Sequence, residues 1–304
     1  MPNGFKFLLI DGQNLCFREF YAKKNLSCKG RSVDVIFGVF RSLVSYHKKW
    51  PDYFRIFAWD GGYQRRLIES EAGVAAGIVP ESYKQARRDK AKAEPNPDIE
   101  SLFEQIDELK VSLDLTKTLQ VRVDGFEADD VINTYSKMAV ESGGSAVIVS
   151  SDQDFFQCLR PGVTVFDARA QETWTDERMR LEFGFSSELW VDKGAIEGEV
   201  GSSKDNIFGC EGWGPVTACK YIREFGDVDA ILKALRGKQK LGKKEQKFIE
   251  SEARLVLAKS LKRMDVIPNL PRPRITRPVT EDAVKAYFLE WGFASLLKDA
   301  WRFA

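Results

Sequence analysis

The chain has 304 residues, and its 46 Lys and Arg against 45 Asp and Glu exclude a protein that binds polyanions merely by being basic overall. A hydrophobic content of 43% is enough for one large core or a core with a satellite, whereas no apolar run approaches the roughly 20 residues of a membrane span. Five scattered cysteines without CxxC spacing suggest neither a disulfide framework nor a zinc site, and the N-terminus lacks the long apolar segment of a signal peptide, so a cytoplasmic enzyme is expected.

In chain order, residues 7–10 form a short β-rich run closed by Asp11, and a helical pattern follows. The single His47 sits among polar neighbours and reads as structural or exposed, which leaves carboxylates or metals as the source of acid-base chemistry. A second β-rich run, 55–59, is closed by Asp60. Residues 65–98 are charged and rich in Ala and Gly, and end in Pro95-Asn96-Pro97-Asp98, a stop followed by a helix cap. They read as an excursion from the core. The runs 119–123 and 146–150 continue the alternation of strand and helix, which implies a parallel sheet with helices on both faces. From about residue 187 the pattern is mostly helical. It contains a Gly-rich stretch at 198–214, a basic run at 233–247 that reads either as a solvated helix face or as a phosphate-contacting patch, a Pro-rich connector at 268–278 and a final amphipathic helix.

In a parallel α/β sheet the functional crevice lies at the carboxyl ends of the strands. Here those ends are acidic. Asp11 and Asp60 follow two strands, Glu127, Asp129 and Asp130 in Gly125-Phe-Glu-Ala-Asp-Asp130 open a helix, and Asp152 and Asp154 follow a fourth strand. Any one of them fits a cap or turn role. Independent capping does not require all four strand ends to deliver acid to one rim, and three acids within four positions repel one another unless a cation is bound. Hard oxygen donors suit Mg²⁺ or Mn²⁺. So many carboxylates fit two ions roughly 4 Å apart, an arrangement suited to in-line hydrolysis of a phosphodiester, and no GxxxxGK[ST] loop points to a P-loop nucleotidase.

Leu9-Ile-Asp-Gly-Gln-Asn-Leu15, Phe57-Ala-Trp-Asp-Gly61, Gly125-Phe-Glu-Ala-Asp-Asp130 and Ser150-Ser-Asp-Gln-Asp154 together resemble the bacterial and bacteriophage 5′-nuclease family of flap endonucleases and 5′-3′ exonucleases, with its PIN-like α/β fold. Asp205-Asn-Ile-Phe-Gly-Cys-Glu-Gly-Trp-Gly214 with residues 218–226 resembles that family's helix-three-turn-helix, and Phe288-Leu-Glu-Trp-Gly-Phe-Ala-Ser-Leu-Leu297 its C-terminal element. The resemblance implies a nuclease domain over 1–186 with a helical arch at about 65–98, and a helical DNA-binding region over 187–304. It implies Asp11, Asp60, Glu127, Asp129 and Asp130 at a first metal site, with Asp152 and Asp154 between two sites. For the second site the family shows Gly-Asp-x-x-Asp, where this chain has Gly201-Ser-Ser-Lys-Asp205. Ser202 stands in the first aspartate's place, and Glu199 is expected to replace it beside Asp205.

In the arch, Tyr83 is expected to stack on an unpaired base while Lys84 and Arg87 stabilise charge on the scissile phosphate. Arg66 matches a further family arginine. Gly209, Gly212 and Gly214 are expected to let the backbone approach duplex DNA, with a bound K⁺ by resemblance. The implied activity is structure-specific cleavage of DNA bearing a 5′ flap, a 5′ overhang or a recessed 5′ end. The implied setting is a stand-alone monomer acting in replication or repair, alongside replication proteins, in a bacterial or phage-infected cytoplasm. The rival readings are a PIN-type ribonuclease and a branched-DNA-binding protein that has lost turnover.

Overall fold

The computed structural model describes residues 4–22, 25–94, 96–202 and 204–304. Pro95 of the expected stop and Ser203 of the expected second-site stretch lie outside the described residues. The chain runs β1 (Lys6–Asp11), α1 (Gly12–Tyr21), a small hairpin β2 (Ser27–Cys28) and β3 (Arg31–Ser32), α2 (Asp34–Lys49), β4 (Phe54–Trp59), α3 (Gln64–Ala75), α4 (Gln85–Ala93), α5 (Pro97–Leu113), β5 (Thr118–Arg122), α6 (Ala128–Glu141) and β6 (Ser145–Val149). A 3₁₀ segment at Gln153–Cys158 leads to β7 (Val163–Asp167) and β8 (Glu172–Trp174). Thereafter come α7 (Asp176–Phe183), α8 (Trp190–Glu197), α9 (Pro215–Phe225), α10 (Val228–Arg236), α11 (Lys243–Glu250), α12 (Glu252–Lys262), α13 (Glu281–Glu290) and a closing 3₁₀ turn at Ala294–Arg302.

Six strands form one sheet in the order β5-β4-β1-β6-β7-β8, parallel except for β8. The fold is α/β, a mostly parallel sheet flanked by helices. Its central strands β1, β4 and β6 bury nearly every residue, because helices cover both faces, and so they read as continuous apolar runs. The four strands expected from sequence are present within a residue of their expected bounds. Strands β7 and β8 were not expected: β7 follows Pro161-Gly162 as a five-residue alternation, and β8 is a three-residue edge strand.

One core packs α6 against Phe7, Leu9, Ile56 and Ile148 and continues into α9 to α12 through Trp213, Phe248 and Leu255. The opposite face packs α2 and α5 against Leu8, Ile10 and Phe57 and is closed by Val284, Phe288 and Phe303 from the chain's end. Because β1 lies between β4 and β6, all running parallel, Asp11, Asp60 and the segment after Val149 emerge along the same edge. The excursion at 65–98 is two helices. The first, α3, is clamped to α12, with Gly73 facing Leu257, whereas α4 buries none of its residues. Among the described residues no helix is long and apolar enough to cross a membrane.

Candidate metal and nucleic-acid site

The loops that carry the acids are tied to one another. Gly61 N–H donates to Phe126 O (2.8 Å) and Gly125 N–H donates to Gly61 O (2.9 Å). A Cβ at Gly61 would lie 1.9 Å from Val123 O, so only glycine permits this approach. Asp60 follows as a positioned side chain: its Oδ1 accepts from Ala128 N–H (2.9 Å) at the start of α6. Asp11 caps α1, its Oδ1 accepting from Asn14 N–H (2.9 Å), and Asp152 accepts from Asp154 N–H (2.8 Å). The bland capping roles are therefore real for Asp11 and Asp152, yet each leaves a carboxylate oxygen over.

Asp11, Asp60, Asp129 and Asp152 sense one another's charge, and none of the four has an ion pair among the described residues. Burial, then Asp60 and Asp152, push the Asp11 carboxyl up to about 7. Burial and the same acidic neighbours hold Asp129 well above the usual carboxylate range. Asp152 stands at the exposed lip, yet dehydration within the crowded cleft, with Asp154 beside it, pushes its carboxyl up to about 6. Like charges left without a counter-ion raise each other's affinity for protons, and a bound cation relieves the same strain.

Among the described residues no group of three or more His, Cys, Asp or Glu side chains is placed to hold a metal ion by itself. Oxygen donors with no closed ring of three suit Mg²⁺, which keeps several waters and takes only one or two carboxylates directly, and exclude an all-protein cage. The donor set therefore fits a hard divalent ion.

The other expected acids behave differently. Asp130 is buried, and Arg66 grips it with two 2.9 Å hydrogen bonds, while Asp265 N–H (2.7 Å) and Glu127 N–H (3.1 Å) fill its remaining lone-pair directions. This corrects its place in the ligand set. The Asp130 carboxylate is taken up by Arg66 and by backbone N–H groups at the start of α6, and Arg66, 4% exposed, is buried with it and turned away from solvent. The same Arg66 reaches Glu127 Oε2 at 2.6 Å and the carbonyls of Leu261 and Arg263 in α12 and beyond.

Tyr83 also departs from expectation. It precedes α4 instead of lying on it, is 4% exposed, and donates its hydroxyl to Glu127 (3.2 Å) and Asp205 (2.9 Å), so its ring is not available to stack on a base. Lys84 adopts a left-handed backbone (φ 56°), with its N–H donating to Asp205 O (2.9 Å). That turn aims its ammonium at Glu127 Oε1, 3.7 Å from Asp205. Glu127 and Asp205 hold it protonated against the opposing effect of burial. Arg87 is half exposed on α4, with its guanidinium 3.7 Å from Asp205.

The expected second-site acids are thus divided. Asp205 faces Tyr83 and Lys84, whereas Asp154 and Glu199 share the ammonium of Lys262, a residue the sequence reading did not single out. Nothing in its local pattern, the last turn of an amphipathic helix, marks it. In the loop between α8 and α9, a Cβ at Gly209 would meet Gly198 N at 2.4 Å, so this glycine serves the loop's own closure. At Gly212 (φ 82°) and Gly214 a Cβ would meet nothing within 4 Å, leaving open backbone. Of the basic run, Lys238 pairs with Glu245, Arg236 with Glu252 and Lys247 with Glu211, which makes that part a paired, solvated face.

Residues 6–184 match the family described as 5′-3′ exonuclease, N-terminal resolvase-like domain. The chain belongs to the 5′-3′ exonuclease family. It is 31% identical over 226 residues to a 5′-3′ exonuclease of Aquifex aeolicus, covering 74% of this chain and 71% of that one. It is 29% identical over 300 residues to the thermostable DNA polymerase I of Thermus thermophilus, covering 98% of this chain. This exonuclease-family chain spans about a third of that polymerase's length, 33%. A bacteriophage T5 5′-exonuclease solved with divalent metal ions (zinc) shares its fold, with a TM-score of 0.67 at 24% identity over 98% of this chain and 99% of that one. The catalytic core of Rad2, solved in complex with a DNA substrate, shares the fold at a TM-score of 0.58 and 15% identity, over 98% and 92% of the two chains.

Proposed function

We propose that the chain is a divalent-metal-dependent DNA nuclease acting at 5′ ends and 5′ flaps, and leaving 5′-phosphate and 3′-hydroxyl ends. The observation that carries this reading is the gathering of Asp11, Asp60, Asp129 and Asp152, none of them in an ion pair among the described residues, at the carboxyl edge of a parallel sheet in a chain of the 5′-3′ exonuclease family. These four acids would hold the ion, Mg²⁺ with Mn²⁺ as a substitute. Once bound, it supplies Lewis acidity and a water of lowered pKa for in-line attack on phosphorus.

The remaining steps belong to the chain's own residues. Lys84, kept charged, stands at the edge of the acid cluster and offers its ammonium to a scissile phosphate in exchange for Glu127. Arg87 on the uncovered helix α4 lies one side chain away and serves the same phosphate or its neighbour. Arg66, Asp130 and Tyr83 hold Glu127 and Asp205 in place. Open backbone at Gly212 and Gly214 supports a grip on duplex phosphates, and a K⁺ ion there, by residues from 187 onward, with 1–186 as the cleaving part.

The likeness to polymerase I supports a place in DNA replication or repair, in the bacterial or phage-infected cytoplasm, where replication proteins are the partners to expect. Of the two ions suggested by sequence, the geometry supports the first.

The test is cleavage of a 5′-end-labelled DNA flap, with a matched RNA flap, in Mg²⁺ and in EDTA. Cutting of the DNA flap that EDTA abolishes, and that Asp152→Asn lowers at least a hundredfold, is expected. Full activity in Asp152→Asn, or preference for the RNA flap, would overturn the reading.

A further inference from the structure

The last residue of α12 reaches into the acid edge from the far third of the chain. Lys262 Nζ donates to Asp154 Oδ2 at 2.9 Å and Oδ1 at 3.2 Å, and to Glu199 Oε2 at 2.7 Å, with its side chain only 9% exposed. Its stem lies on Gly194, where a Cβ would come within 3.5 Å of Lys262 Cδ. Its backbone is pinned as well. Lys262 O accepts from Gln157 Nε2 (3.1 Å), Met264 N–H donates to Gln157 Oε1 (2.9 Å), and the carbonyls of Leu261 and Arg263 accept from Arg66. A cation at the end of a helix is further favoured by the aligned carbonyls of the last turn. This ammonium is built into the site.

Three features of the same corner agree with one another. Ser202 stands where the resemblance calls for a carboxylate, Lys262 adds a positive charge, and Asp205 is turned to Tyr83 and Lys84. The acids left in the corner, Asp154 and Glu199, are therefore already paired with Lys262, with Lys204 3.4 Å from the far oxygen of Glu199, and it is the buried ammonium that takes the place of a second ion. We propose that the ammonium of Lys262 stands in for the second divalent ion, so that the chain binds one catalytic divalent ion. This inference rests on the nuclease reading above. An ammonium bound to Asp154 and Glu199 balances charge beside the reacting phosphate and donates hydrogen bonds, but it cannot acidify a water. Asp11, Asp60, Asp129 and Asp152 would hold the single ion, and the activation of water would be its chemistry.

The experiment counts Mn²⁺ bound per chain by calorimetry and electron paramagnetic resonance, on the full chain and on Lys262→Met, Lys262→Gln and Lys262→Met/Glu199→Gln, with circular dichroism to check folding. One ion is expected in the unmodified chain, two in either folded Lys262 variant, and one again in the double variant. Two ions in the unmodified chain overturn the proposal even if no variant folds, as does a folded Lys262→Met that still binds one. No bound ion in the unmodified chain would instead sink the nuclease reading itself, and this inference with it.

Discussion

Arg66 shows how much of the site is support. Its guanidinium fork holds Asp130, its Nη1 reaches Glu127, and both partners are buried with it. Removing one member of such a group leaves charge without compensation, so Arg66→Ala should cost about 3–5 kcal/mol of stability by urea denaturation. Arg66→Lys should recover only part, because an ammonium cannot make the paired contact. Tyr83→Phe keeps the buried ring and loses only the hydroxyl that holds Glu127 and Asp205, so cleavage should fall a few-fold. Tyr83→Leu removes the ring and should leave binding of single-stranded DNA by the folded variant unchanged, whereas a large loss of binding in Tyr83→Leu but not in Tyr83→Phe would restore the base-stacking role. Asp11 carries a prediction in pH. Its carboxyl is pushed up to about 7, chiefly by burial, against about 3.9 in an unfolded chain. Between those values the native state holds a proton that the unfolded state has released, so this group makes stability fall as pH rises from about 4 to 7. In EDTA the melting temperature should therefore drop across that window. Asp11→Asn should flatten the drop, and Mg²⁺ should raise the melting temperature more at pH 8 than at pH 5.

At the scale of elements, the loop between α8 and α9 separates two uses of glycine. Gly209→Ala forces a Cβ onto Gly198 and should destabilise the fold measurably, whereas Gly214→Ala meets open space and should leave the melting temperature within a degree or two. Any effect of Gly214→Ala should appear in duplex affinity alone. Strands β1, β4 and β6 and the acids after them are legible in the sequence because a strand buried on both faces leaves an uninterrupted apolar run, and the acid that ends it stands out, whereas β5 is a half-buried edge strand, TLQVR, legible as a short β-rich run. Asp11, Asp60 and Asp152 follow from that pattern, and Asp129 from the run of acids that opens α6. The setting of Asp130 did not, since its partner Arg66 is 64 positions away and repulsion among nearby acids was judged from local spacing alone. Tyr83 and Arg87 are four apart, a spacing that predicts a shared helix face, but the left-handed Lys84 starts α4 only at Gln85, and no periodicity reveals that break. Lys262 had no local signal at all.

On the scale of the whole molecule, charge is balanced overall and concentrated at the acid edge, α4 and the C-terminal helices. DNA binding should thus weaken with salt by a modest slope, a few phosphates' worth, instead of the steep loss of a uniformly basic protein. Both faces of the sheet are completed by residues from the end of the chain: Phe248, Leu255 and Met264 on one side, Val284, Phe288 and Phe303 on the other. Arg277 fastens that closure by donating to the carbonyls of Leu113, Thr116 and Thr118. During synthesis, every acid of the central cluster has left the ribosome before any of these partners has been made. A nascent chain that has reached only residue 186 holds the clustered acids without Lys262 beside Asp154, without the carbonyls of Leu261 and Arg263 that anchor Arg66, and with both cores open. A fragment ending at residue 186 should therefore be insoluble or unfolded where the full chain is neither, and should show none of the cleavage proposed for the full chain.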